Sequence, residues 1–180
     1  MAFNVWRSFS TRIKRLITIA IFFFLSLALT IAGASTPLTH SEAQDIKQEF
    51  DKMRENASVQ FIFGNNFLLC LSFFIPVFGP VFGCYVLYST GVVIAADSII
   101  EGVHPLVSFL LLFIFPFTWL EFLAYSTAFS QSVWLIWRVI KRQWKREIVN
   151  TCIFISICAV MLLAAAIIEM AIILAFTPVP

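Results

Sequence analysis

A carboxylate stands in the apolar run PFTWLEFLAY, Pro116 to Tyr125, at Glu121. A bare charge at the centre of a bilayer costs several kcal/mol, so this residue needs a partner, a proton or a task. On a helix its stripe-mates are Thr118, Tyr125 and Ser132, with Ala128. A polar stripe on an otherwise apolar helix faces other helices or a water-filled cavity. Asn65 and Asn66 lie in an earlier apolar run and Glu169 in a later one. The candidate buried polar cluster is therefore Asn65, Asn66, Thr118, Glu121, Tyr125 and Glu169. Two chemistries fit it: hydrogen bonds that staple helices together, or a proton relay or ion path.

Other reactive residue types carry less. Asp97, Glu101 and His104 are spaced by 4 and 3, and on one continuous helix they would share a face able to hold a metal. Gly102 and Pro105 argue for a loop there, so these three are weak candidates and no metal is expected. Cys70, Cys84, Cys152 and Cys158 all lie in apolar segments, with no CxxC pair and no adjacent histidine; they read as small apolar side chains. His40 is isolated. HExxH, GxSxG and Walker loops are absent from the sequence, which points away from an enzyme. No cofactor is expected.

The elements that must position these residues are membrane helices. Of 180 residues 61% are hydrophobic and 12% charged, with a mean hydropathy of +0.94, where a soluble domain carries about 25% charged residues. A net charge of +2 gives no reason to expect a nucleic-acid partner. The reading is an all-α, polytopic membrane helix bundle, one membrane domain over 1–180, with the lipid bilayer as its first partner. Spans are expected at about 16–34, 61–77, 81–99, 106–128 and 148–176. The first could be a secretory signal ending at Ala32-Gly33-Ala34; it reads better as a retained helix. Pro76, Gly79 and Pro80 break the second span from the third. Pro116 either breaks the fourth or lies in one long tilted helix.

Between the first two spans, STPLTHSEAQDIKQEFDKMRENASV is polar. Thr39 with Glu42, and Ser41 with Gln44, have capping-box spacing. Ala43, Ile46, Phe50 and Met53 then recur along one helical face, and Lys47, Asp51 and Arg54 along the other. An extramembrane amphipathic helix over about 40–56 follows, with Ile46, Phe50 and Met53 as the buried or partner-docking stripe. Asn56-Ala57-Ser58 matches a glycosylation sequon close to the next span. In the third span Gly79 and Gly83 form GxxxG, and Gly91 and Ala95 repeat the small-residue spacing that lets helices approach closely.

The middle of the chain resembles the stage II sporulation protein M-like family of membrane proteins. The resemblance rests on IFGNNF with its double Asn at 65–66, on YSTG at 88–91, and on PFTWLEF, where Glu121 takes the family's acidic position. It covers roughly Phe61 to Trp134 and the order of spans. Phe117 and Thr118 stand where the family typically has His-Gly, so a shared His–Glu site is not implied. The resemblance implies a non-enzymatic membrane component of the kind that recruits or scaffolds other proteins. A sporulation role is not carried over, because nothing in the residues requires spores or a peptidoglycan wall. The expected function is a non-catalytic subunit or scaffold of a membrane complex, with other membrane subunits as partners in a homo- or hetero-oligomer. The alternative is a small oligomeric transporter or channel that uses buried carboxylates.

Charge orients the bundle. Residues 1–15 carry four Lys/Arg, and 127–149 carry five (Arg138, Lys141, Arg142, Lys145, Arg146). The segment 35–59 has three basic and five acidic residues, and 97–104 only acids. Five crossings and the positive-inside rule put the N-terminus in the cytoplasm and the C-terminus outside. A reporter fused after Pro180 should be external and one inserted near Lys145 cytoplasmic; both on one side would refute five crossings.

Overall fold

Where there is no water, backbone N–H and C=O groups must find internal partners, and an apolar chain meets this by coiling into helices. The computed structural model describes residues 10–54 and 58–176, and among them it has seven helices and no strand. They are α1 (Thr11–Ala34), α2 (His40–Arg54), α3 (Val59–Phe73), α4 (Phe78–Glu101), α5 (Pro105–Leu112), α6 (Pro116–Ile140) and α7 (Trp144–Phe176). The sequon's Asn56, the basic Arg7 and the Thr-Pro-Val-Pro tail lie outside the described residues.

Three helices are long and apolar enough to cross a membrane: α1, α4, and α7 from Glu147 to Ala175. The α5–α6 pair meets the same standard as one broken span, bent by 89°. The remaining apolar helix, α3, has 15 residues, about 22 Å at 1.5 Å per residue, against a hydrocarbon core of about 30 Å. The helices thus give three full spans, or four with the broken pair, where the sequence led us to expect five. α3 stops at Phe73 rather than Val77. Pro76 brings no N–H, and Val77 takes a left-handed φ of 67°, which a β-branched residue rarely adopts. Gly79 and Pro80 then fall inside the first turn of α4, where a proline is tolerated.

Pro116 opens α6 and breaks the fourth segment. At the break the last carbonyls of α5 accept only turn bonds, to Leu110 O from Phe113 N, to Leu111 O from Ile114 N and to Leu112 O from Phe115 N. Two side chains from α6 supply donors: Thr118 Oγ1 to Leu112 O at 2.8 Å and Trp119 Nε1 to Phe113 O at 2.9 Å.

α6 is the central helix, and every residue from Ala124 to Ser132 is buried. α1 runs antiparallel to it: Phe23 meets Trp119 and Phe122, and Thr18 meets Ser130 and Trp134. α3 runs parallel to it, since Asn66 reaches Glu121 while Ser132 reaches Ile75, just past the end of α3. α7 is antiparallel to it, Gln131 bonding Glu147 and Ala124 O accepting from Cys158. The core is aromatic, with Phe73 stacked on Phe129 at 4.7 Å and edge-on to Tyr125 at 5.3 Å. α1 and α4 cross by backbone contact. A Cβ built on Gly91 would stand 2.1 Å from Thr30 O, and one on Gly33 2.0 Å from Tyr88 O. Gly79 abuts the Phe73 carbonyl, Gly83 abuts the Phe129 ring, and Ala95 is fully buried.

α2 packs on α4. Its start is the capping box at Thr39: Thr39 N donates to Glu42 Oε2 at 2.8 Å, and Glu42 N to Thr39 Oγ1 at 3.4 Å. Ala43 is fully buried, Ile46 and Phe50 are half-buried, and Met53 is 55% exposed. The buried stripe therefore ends at Phe50, without Met53. Lys47 is not on the wet face. It is half-buried and forms an ion pair with Asp97 of α4. The hydrogen bond to Asp97 holds the Lys47 ammonium above the usual lysine range. A raised lysine pKa means this contribution is complete at neutral pH and is lost only as pH climbs through the raised value.

Gly91→Ala should destabilise the bundle by about 1–3 kcal/mol, because backbone and not a flexible side chain must move. Gly64→Ala, with nothing within 4 Å of the added carbon, should be neutral or gain up to about 1 kcal/mol. Unfolding in detergent compares the two, and equal effects would refute the close α1–α4 seam.

Candidate functional site

Two polar clusters tie α6 to its neighbours. The first lies towards its N-terminal end. Asn66, in the middle of α3, donates from Nδ2 to Glu121 Oε1 at 2.6 Å. Both residues are half-buried. One turn on, Tyr125 is buried edge-on to Phe73, within electrostatic range of Glu121 and of Glu169. The next layer is closed by Cys70 and Cys158, whose Sγ atoms both donate to Ala124 O, at 3.9 and 3.5 Å.

The structure therefore brings together Asn66, Glu121, Tyr125 and, from α7, Glu169. It leaves two of the sequence candidates out. Thr118 is buried but donates to Leu112 O at the α5–α6 break. Asn65 is exposed, because a one-residue step on a helix turns a side chain by about 100°. Asn66–Glu121 is a helix-to-helix hydrogen bond. With Tyr125 and Glu169 it also makes a short row of protonatable groups.

The second cluster was not foreseen. Arg15 of α1 donates from Nη2 to Glu147 Oε1 at 2.5 Å and from Nη1 to Gln131 Oε1 at 2.6 Å. Gln131 Nε2 in turn donates to Glu147 Oε1 at 2.7 Å and to Thr151 Oγ1 at 3.0 Å. Arg138 Nε stands 3.7 Å from Glu147 Oε2. The Glu147 side chain is 2% exposed and that of Arg15 12%. The Arg15 guanidinium also lies over the rings of Trp134 and Phe154, at 4.9 and 5.6 Å, a cation–π arrangement. Two sequence signals point this way. Gln131 is an amide on an apolar helix, and Glu147 is the only acid between Glu121 and Glu169.

The acidic trio does not converge. α4 ends at Gly102 in a left-handed conformation (φ 68°), before His104. Asp97 is taken by Lys47, and His104 Nδ1 accepts from Leu106 N at 3.3 Å as the cap of α5. Among the described residues no three His, Cys, Asp or Glu side chains come together as a metal site.

Residues 18–172 match the family of stage II sporulation protein M. The chain belongs to that family. The match takes in every described helix in whole or in part, including both polar clusters and the broken α5–α6 segment. This member of the stage II sporulation protein M family is thus a helical membrane protein. No curated protein and no solved structure matches the chain.

Glu147→Ala leaves the Arg15 guanidinium buried without its carboxylate and should cost about 3–5 kcal/mol. Glu121→Ala removes one interhelical hydrogen bond and should cost about 0.5–2 kcal/mol. Detergent unfolding ranks the two, and a Glu121→Ala loss equal to or larger than that of Glu147→Ala would reverse the assignment of the main lock.

Proposed function

We propose that this chain is a non-catalytic subunit or scaffold of a membrane protein complex. The observation that supports it is the use made of the intramembrane polar groups. Asn66 bonds to Glu121, and Arg15 and Gln131 bond to Glu147, so each of these pairs joins one helix to another. Polar side chains spent on helix–helix bonds build a rigid frame. The exposed face of α2, Met53 included, offers other membrane subunits a docking edge outside the bilayer. In this reading α1, α3, α4, the α5–α6 pair and α7 make five crossings. α1, α4 and α7 run one way and α3 and α6 the other, with the N-terminus cytoplasmic and the C-terminus outside.

One observation favours a second reading, a small oligomeric transporter or channel. Glu121 lies five residues after the Pro116 break, and broken helices in transporters often line binding sites. The row Glu121, Tyr125 and Glu169 would then carry protons.

Glu121→Gln separates the two. It keeps the side chain's size and its ability to accept from Asn66, so the bundle should fold as wild type. A scaffold keeps its co-purifying partner at unchanged stoichiometry. A proton-coupled transporter loses proton-dependent uptake in reconstituted vesicles. Solute movement by the purified protein, abolished by Glu121→Gln, would overturn the scaffold reading.

A further inference from the structure

Where α1 and α7 begin and α6 ends, the helices diverge and leave an open cleft of about 750 Å³. Its wall carries Arg12, Arg15, Arg138, Arg142 and Lys145 against a single carboxylate, Glu147. That carboxylate is already engaged by Arg15 and Gln131 and stands 3.7 Å from Arg138 Nε, so the wall offers Arg12, Arg142 and Lys145 no second acid. Arg138 Nε is buried and lacks a hydrogen-bond acceptor, although Arg138 Nη1 donates to Gln143 Oε1 at 2.6 Å. Arg142 takes a left-handed φ of 56°, a conformation that non-glycine residues rarely adopt. It does so where the chain turns from α6 into α7, on the cleft wall.

The surroundings identify what would fill such a cleft. Trp137 and Trp144 are 44% and 47% exposed at this end of the bundle, and exposed indoles mark the headgroup level of a bilayer. Ile153 and Phe154 form the wall on the α7 side, further into the apolar span. The cleft is therefore cationic at headgroup depth and apolar beneath. Its volume suits a small amphiphile. Basic pockets between membrane helices recognise anionic headgroups in this way.

We infer that this cleft binds a phosphate-bearing anion, and that the occupant is the headgroup of an anionic phospholipid from the surrounding leaflet. Arg12, Arg142 and Lys145 supply the accessible cations, and Arg138 supplies a donor at the back. The site is independent of the Glu121 cluster and stands whether the chain is a scaffold or a transporter.

The test is native mass spectrometry of the full chain, released from micelles with equal phosphatidylglycerol and phosphatidylcholine. The wild type should retain phosphatidylglycerol preferentially. Arg12→Gln/Lys145→Gln should weaken that retention by about five-fold for each cation removed. Both side chains are exposed, so folding should be unchanged. Arg142→Gly is the second variant. It removes a guanidinium and at the same time relieves the left-handed backbone, so it should be at least as heat-stable as wild type and still lose preference. Equal retention of the two lipids by wild type, or variants as selective as wild type, would overturn the inference. So would protection against heat by inorganic phosphate with no preference for phosphatidylglycerol, since that would reassign the cleft to a free anion.

Discussion

Removing a guanidinium and a carboxylate from water costs several kcal/mol for each ion, and only good geometry with further hydrogen bonds returns it. Arg15 and Glu147 meet that condition through Gln131, which bonds to both at 2.6 and 2.7 Å. One amide on the central helix thereby fixes the start of α1 and the start of α7 to the same level of α6. The rest of the bundle follows from this registration. With α1 and α7 set on either side of α6, Phe22, Phe73 and Phe129 meet in the middle. Thr18 then falls opposite Ser130 and Trp134. A helix buried along nine consecutive residues, Ala124 to Ser132, can carry Ser126, Thr127 and Ser130 only because each finds an acceptor on its own helix or on α1.

A second seam works by a different physics. Between helices in lipid there is little hydrophobic driving force, since acyl chains are as apolar as leucine, and close van der Waals packing replaces it. α1 and α4 use Gly33 and Gly91 for this, each against the other helix's backbone. The polar seam fixes which residues face one another; the glycine seam fixes how near the helices come. α2 is bound to the second of these, through Ala43 and the Lys47–Asp97 pair on α4.

Much of this was legible in the sequence, and what was not has a common cause. Apolar run length and Pro/Gly punctuation are local signals, so the helix order and the capping box at Thr39 could be read directly, while at Pro116 they left a break and a long tilted helix both open. Glu121 and Asn66 stood out because polar groups at membrane depth are conspicuous, and their pairing needed only two adjacent helices. Arg15 was conspicuous too, but a basic residue near the start of a first span fits the positive-inside pattern equally well. Its partners lie 116 and 132 residues away, at a distance only tertiary packing can specify. Met53 fell on the right helical period, yet periodicity does not say where the neighbouring surface ends. The short α3 was over-read for a similar reason. Hydropathy extends to Val77, while the backbone turns at Phe74.

The α5–α6 break is where a transport reading and a scaffold reading make different physical demands. Transport needs an element with two arrangements separated by only a few kcal/mol. Swinging α5 away from α6 would break the bonds from Thr118 and Trp119 to the α5 carbonyls. It would also separate Phe113 from Trp119, which it meets edge-on at 5.3 Å, and from Phe122, tilted against it at 5.3 Å. In water the lost hydrogen bonds would be replaced at little cost; in hydrocarbon each unsatisfied group costs several kcal/mol. The side chains of Thr118 and Trp119 thus tie the end of α5 to the start of α6. An intramembrane kink stitched in this way serves to set the direction in which α6 enters the bundle, and so to hold Glu121 against Asn66.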